Sequence, residues 1–259
     1  MADIGGIPLW QFQVATAIGL VGIWMGWQGG MRRMVGFYDL PSATKALIYG
    51  LVIGGLYQML VTELIMYPLW TGALPPLIPL LLVPLSLSLA VMLLLTRLSI
   101  RQLKSQPTAG WAFGLGIGSM LVVRLAFQIF AFPAELNHWI YGFNLQAIAL
   151  GMGLALLVPW AEAIITSWQG WHALNGNRFK PAFKSMLLRM LLILVLTYGV
   201  VYPPILLCLP AFILWGQSKA DSVWLPSGLS PRMKQEWTRL QRTGIATGVR
   251  AVASYEESE

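Results

Sequence analysis

The chain has 259 residues, of which 57% are hydrophobic and only 10% are Asp, Glu, Lys or Arg. Soluble domains carry about 25% charged residues, so this composition excludes a water-covered globular fold. The net charge of +7 is spread in short basic clusters between apolar runs, which marks membrane topology and not a nucleic-acid-binding face.

A helix needs about 20 apolar residues to cross ~30 Å of hydrocarbon, and several runs meet that length. The first covers Trp10 to Gly29. Asp3 is the only charged residue before it, so it lacks the basic leader of a signal peptide and should be retained as a membrane helix. The second runs from Thr44 to Tyr67 and ends at Pro68. The third follows Pro75-Pro76 and reaches Thr96, with Pro79 and Pro84 making its start irregular. The fourth extends from Gly110 to before Pro133, and the fifth from Trp139 to Trp168.

The last apolar stretch, Ala182 to Trp215, is too long for one upright crossing and barely long enough for two. Tyr202-Pro203-Pro204 lies in its middle, where proline lacks a backbone donor and breaks the helix. The expected fold is therefore all-α: a polytopic transmembrane bundle over residues 1–217 with seven crossings, or alternatively six. A polar basic tail, 218–259, follows.

Loop charges favour seven. Arg32, Arg33 and Lys45 follow the first run; Arg97, Arg101 and Lys104 follow the third; Arg178, Lys180 and Lys184 follow the fifth. The alternate loops, Trp70–Leu74 and Pro133–His138, hold no Lys or Arg. This alternation places the N-terminus outside and the basic loops in the cytoplasm of a cell or inner membrane. The tail carries Lys219, Arg232, Lys234, Arg239, Arg242 and Arg250; a cytoplasmic tail requires the last stretch to turn at Pro203-Pro204 and cross twice. Ser230-Pro231 reads as a helix entry. Met233, Trp237 and Leu240 then share one face, which suits either an anionic membrane surface or a solvated tail. The final Glu256-Glu257-Ser258-Glu259 is expected to be disordered.

Ionisable residues inside the bilayer are costly and call for partners. Glu63 and Arg124 fall in the outer half, Glu162 and Arg189 in the inner half. Matching by depth predicts the pairs Glu63–Arg124 and Glu162–Arg189. Gln58, Gln128 and Gln146 add polar groups, and Gln128 lies one turn from Arg124 on the same face. These residues could line a proton, ion or polar-substrate path, or simply lock helices together.

Gly22, Gly26 and Gly30 recur at every fourth position, as do Gly50 and Gly54, and Gly110, Gly114 and Gly118. That spacing lets helix backbones approach closely, within the chain or between two copies. Trp10, Trp24, Trp27, Trp70, Trp111, Trp139, Trp168, Trp171 and Trp215 read as an interfacial belt. No metal site is expected, because His138 and His172 fall on opposite sides and Cys208, the one cysteine, reads as a buried apolar residue. Ser119 and Ser167 have no evident His neighbour, so nucleophilic catalysis has no support. No cofactor is implied.

The stretch Trp111-Ala-Phe-Gly-Leu-Gly-Ile-Gly-Ser-Met120 resembles the Gly-rich helix of the PrsW/YhfC-type intramembrane proteases. Pro159-Trp160-Ala161-Glu162 with the basic loop at Arg178–Lys184 resembles a later acidic helix of that group. The resemblance implies a helical bundle in which embedded Glu and His residues hydrolyse peptides. Met120, Leu121 and Val122 stand where that group carries glutamate, and Met186 to Val200 contains no histidine. Glu162 alone carries over, so kinship would imply a protein without protease activity. Three function classes follow: a non-catalytic membrane assembly or partner protein, a small transporter or channel with a path near Glu63, Arg124 and Gln128, and a divergent intramembrane hydrolase.

Overall fold

The computed structural model describes residues 3–4, 7–72, 76–131, 142–177 and 179–242. His138, Trp139, Arg178 and the acidic C-terminus lie outside them. Asp3–Ile4 and Ile7–Pro8 form a two-stranded antiparallel hairpin, and Pro8 leads directly into α1, Leu9–Gly30. α2, Leu40–Val61, starts four residues earlier than the apolar pattern suggested, because the Asp39 carboxylate accepts from the Ser42 N–H at 2.9 Å and Pro41 suits the first turn. It does not stop at Pro68. A π-helical turn, Thr62–Met66, passes into a last helical turn, Tyr67–Trp70.

α3 spans Leu77–Leu95 with Pro84 inside it, and α4 spans Gln106–Ala131. α5, Leu145–Leu174, begins at Asn144, whose side chain accepts from the Ala147 N–H at 2.8 Å, and carries Pro159 internally. α6 is Phe179–Val201. These six helical runs are long and apolar enough to cross a membrane. The protein is an all-α polytopic bundle and an integral membrane protein.

The stretch favoured as a seventh, short crossing after Pro203-Pro204 is not a continuous helix, and six helices of the described residues have spanning length. After Tyr202 the chain makes a 3₁₀ turn at Pro203–Leu207, then the 12-residue α7, Cys208–Lys219, then a π turn at Ala220–Trp224. Twelve residues rise only about 18 Å, less than the hydrocarbon thickness. The composite nevertheless connects the two ends of the bundle. Leu206 packs on Gly199 near the end of α6, whose Thr197 carbonyl accepts from Trp70 Nε1 at 3.0 Å. At the other end Asp221 pairs with Arg33, and Gly228 packs against Lys104. The two prolines set the break, and the helix resumes only after the 3₁₀ turn.

The packed body also continues past residue 217: Ala220, Trp224, Leu225 and Pro226 are buried. The tail helix, α8, spans Pro231–Arg242, with the Ser230 hydroxyl accepting from the Met233 N–H at 3.4 Å. Its Trp237 is buried edge-to-face against Phe37, at 5.7 Å between ring centroids. Of the face for which a membrane surface and a solvated tail were both open, Trp237 docks on the chain's own loop at Phe37.

α4 is the central element, with almost every residue from Gln106 to Phe130 buried. It runs parallel to α2 and antiparallel to α5, and it also packs on α1. Glycine makes this possible. A Cβ on Gly116 would sit 2.7 Å from Gly50 C, Leu47 O and Leu51 N of α2, and one on Gly114 would sit 2.6 Å from Ala163 Cα of α5. Gly110 and Gly118 meet Thr166 and Pro159 of α5; Gly22, Gly26 and Gly30 of α1 meet Ala155, Leu115 and Trp111. All three glycine stripes thus face helices of the same chain. Trp111 is a correction to the interfacial belt: it is fully buried, and its indole N–H donates to the Gly26 carbonyl at 3.2 Å. Cys208 is another correction, because it opens α7 on an exposed face.

Candidate functional site

Both sequence-predicted ion pairs form, and they differ in kind. Arg189 of α6 and Glu162 of α5 have side chains 0% and 1% exposed. Arg189 Nε donates to Glu162 Oε2 at 3.1 Å. Its Nη1 donates to Ser88 Oγ of α3 at 2.7 Å and to Gln169 Oε1 of α5 at 3.0 Å. Gln169 Nε2 in turn donates to the Ser88 carbonyl at 3.1 Å, and the Ser88 hydroxyl donates to the Pro84 carbonyl at 2.8 Å. A guanidinium offers five N–H donors in a rigid planar fork, so a single side chain ties three helices at one level. Glu162 Oε1 and Arg189 Nη2 are buried without a hydrogen-bond partner among the described residues. The hydroxyl of Tyr57 of α2 is also buried without a hydrogen-bond partner among the described residues.

Ser88 and Gln169 were not among the sequence-predicted residues. Gln169 lies seven positions after Glu162, which places both on one face of α5; that spacing was a usable signal. Ser88 lies in a Leu-rich helix and had none.

The second pair is peripheral. Arg124 Nη2 of α4 donates to Glu63 Oε1, with side chains 27% and 56% exposed. Glu63 sits in the π turn Thr62–Met66, a widened turn that is often found at functional positions. Gln58 Oε1, Thr62 Oγ1, Arg124 Nε and Gln128 Oε1 are buried nearby without hydrogen-bond partners among the described residues. Gln128 therefore shares the face of Arg124 without joining its ion pair. Gln146 is exposed in the first turn of α5 and belongs to neither cluster.

A third polar chain, also absent from the sequence reading, closes the basic end. Trp160 Nε1 donates to Gln217 Oε1 at 2.6 Å, Gln217 Nε2 to Asp221 Oδ1 at 2.7 Å, and Arg33 Nη1 to Asp221 Oδ2 at 2.8 Å. It fastens the broken seventh element to α5 and to the turn after α1. Ser119 and Ser167 are buried with unpartnered hydroxyls, and the described residues contain no group of three or more His, Cys, Asp or Glu able to hold a metal.

No family model, curated protein or solved structure matches the chain.

Proposed function

We propose that the chain is a non-catalytic integral membrane protein that serves as an assembly or partner protein. The observation that carries this reading is the enclosure of Arg189 and Glu162. The deepest charges sit 0% and 1% exposed, tied to Ser88 and Gln169 on two neighbouring helices. Such an arrangement holds helices in register and offers no opening to a substrate. In this reading the N-terminus lies outside, with the basic loops and tail in the cytoplasm of a cell or inner membrane. The bilayer is the obligatory partner.

The second reading is a small transporter or channel, favoured by the four unpartnered polar atoms around Glu63, Arg124, Gln58 and Gln128. Buried polar atoms without partners are sites where water is accommodated. A hydrolase related to the PrsW/YhfC-type proteases has less support, because Glu162 is held in an ion pair by Arg189 and the described residues contain no group of three or more His, Cys, Asp or Glu.

Cysteine accessibility separates the first two readings. In a Cys208→Ser background, needed because Cys208 is exposed, single cysteines at 58, 124 and 128 are challenged from each side with a small membrane-impermeant thiol reagent. The assembly reading expects no labelling at 124 and 128 while loop positions react normally. Labelling of both from either side would replace it with the transport reading.

A further inference from the structure

Two apolar grooves flank the start of α6, one on each side, and both are bounded by Lys184. The first, about 410 Å³, lies between α5, α6 and α7 and is lined by Ile165, Trp168, Leu188, Phe212 and Trp224 as well as Lys184. It continues past Leu191 into a smaller cavity of about 70 Å³ that reaches Val195 and Cys208. The second, about 460 Å³, lies between α3 and α6 and is lined by Leu85, Leu89, Phe179, Lys180, Phe183 and Lys184.

Lys180 and Lys184 are exposed and stand one turn apart on α6. Neither has a carboxylate partner among the described residues. Along α6, the distance from Lys184 to Val195 is about 16 Å, close to half of a ~30 Å hydrocarbon core. A slot one leaflet deep, apolar along its length and cationic at its interfacial end, complements an acyl chain below an anionic headgroup. A second groove sharing the same lysine complements a second chain.

We infer that this region is a binding site for one anionic diacyl phospholipid that straddles α6. Its phosphate lies at Lys180 and Lys184, one acyl chain in the α5–α6–α7 groove and the other in the α3–α6 groove. Trp168 and Trp224 border the first groove, in keeping with the preference of indole rings for headgroup depth. The broken seventh element has a part here. α7 contributes Phe212 and the following π turn contributes Trp224, so the first groove exists only because this short element returns along α5 and α6.

The test is lipid retention by the full chain, purified in detergent, supplied with defined synthetic lipid and measured by native mass spectrometry. The probes are dioleoylphosphatidylglycerol, dioleoylphosphatidylcholine and the single-chain lysophosphatidylglycerol. The site predicts one phosphatidylglycerol retained at least about tenfold more strongly than phosphatidylcholine, a preference lost in K180Q/K184Q and kept in the exposed control K45Q/K219Q. Leu188→Trp, which fills the first groove while leaving both lysines, should weaken retention of the diacyl lipid toward that of the single-chain lipid. Equal retention of the two diacyl lipids would overturn the inference, as would unchanged retention in K180Q/K184Q. Single-chain lipid held as tightly as diacyl lipid would overturn the straddling geometry.

Discussion

Arg189→Ala is expected to destabilise the bundle by about 3–5 kcal/mol, the range for removing one partner of a buried ion pair. The size follows from what remains. Glu162 would be left with a buried carboxylate and no cation, and Ser88 Oγ and Gln169 Oε1 would lose the donor they share. The double variant Arg189→Met/Glu162→Gln removes both charges at similar volume, and it should recover much of the loss. Denaturation of the detergent-solubilised protein, followed by helical circular dichroism, measures both. Equal loss in the single and double variants would show that packing, not the uncompensated charge, sets the cost. The peripheral pair provides the contrast. Arg124→Ala is expected to cost less than Arg189→Ala, because Glu63 is 56% exposed and is not enclosed by other helices. A loss at Arg124 as large as that at Arg189 would mean that Glu63 is held in hydrocarbon and cannot reach the polar headgroups.

The second large effect is expected at the centre of α4. Gly116→Ala should cost about 1–3 kcal/mol, the typical cost of overpacking, and Gly116→Val more. The new Cβ would meet three backbone atoms of α2 at 2.7 Å. Backbone cannot change rotamer, so the two helices must separate along their contact. The better helix propensity of alanine, up to about 1 kcal/mol, offsets only part of this. Gly153 is the matched control: it is also helical, but a Cβ there meets nothing within 4 Å, so Gly153→Ala should be neutral or slightly stabilising. Thermal unfolding of the two alanine variants checks the pair, and equal midpoints would refute the close α2–α4 packing.

These expectations rest on features of unequal legibility. The membrane class was plain from the low charge and the run lengths, because hydrocarbon imposes its thickness on every crossing. The ion pairs were readable because two acids and two bases had to be matched at depth, and a charge in lipid leaves few choices. The glycine spacing announced close approach, but not which helix approaches. Small residues permit contact without specifying a partner, and only the fold assigned Gly116 to α2 and Gly114 to α5.

Other outcomes were decided by tertiary structure alone. The same Trp that anchors at an interface elsewhere is buried at position 111, because α4 is enclosed by its neighbours. Ser88 and Gln169 became ligands of Arg189 because α3 and α5 bring them there, and neutral polar residues give no sign of that in one dimension. Pro203-Pro204 announced a break, but not that a 12-residue helix would complete the return and supply one wall of a groove beside α6. Composition and charge, then, determined what kind of solvent this chain lives in, but left six and seven crossings both open. Which polar groups meet, which surfaces close and where a lipid can lodge depend on contacts between residues far apart in the chain, and those exist only once the helices pack.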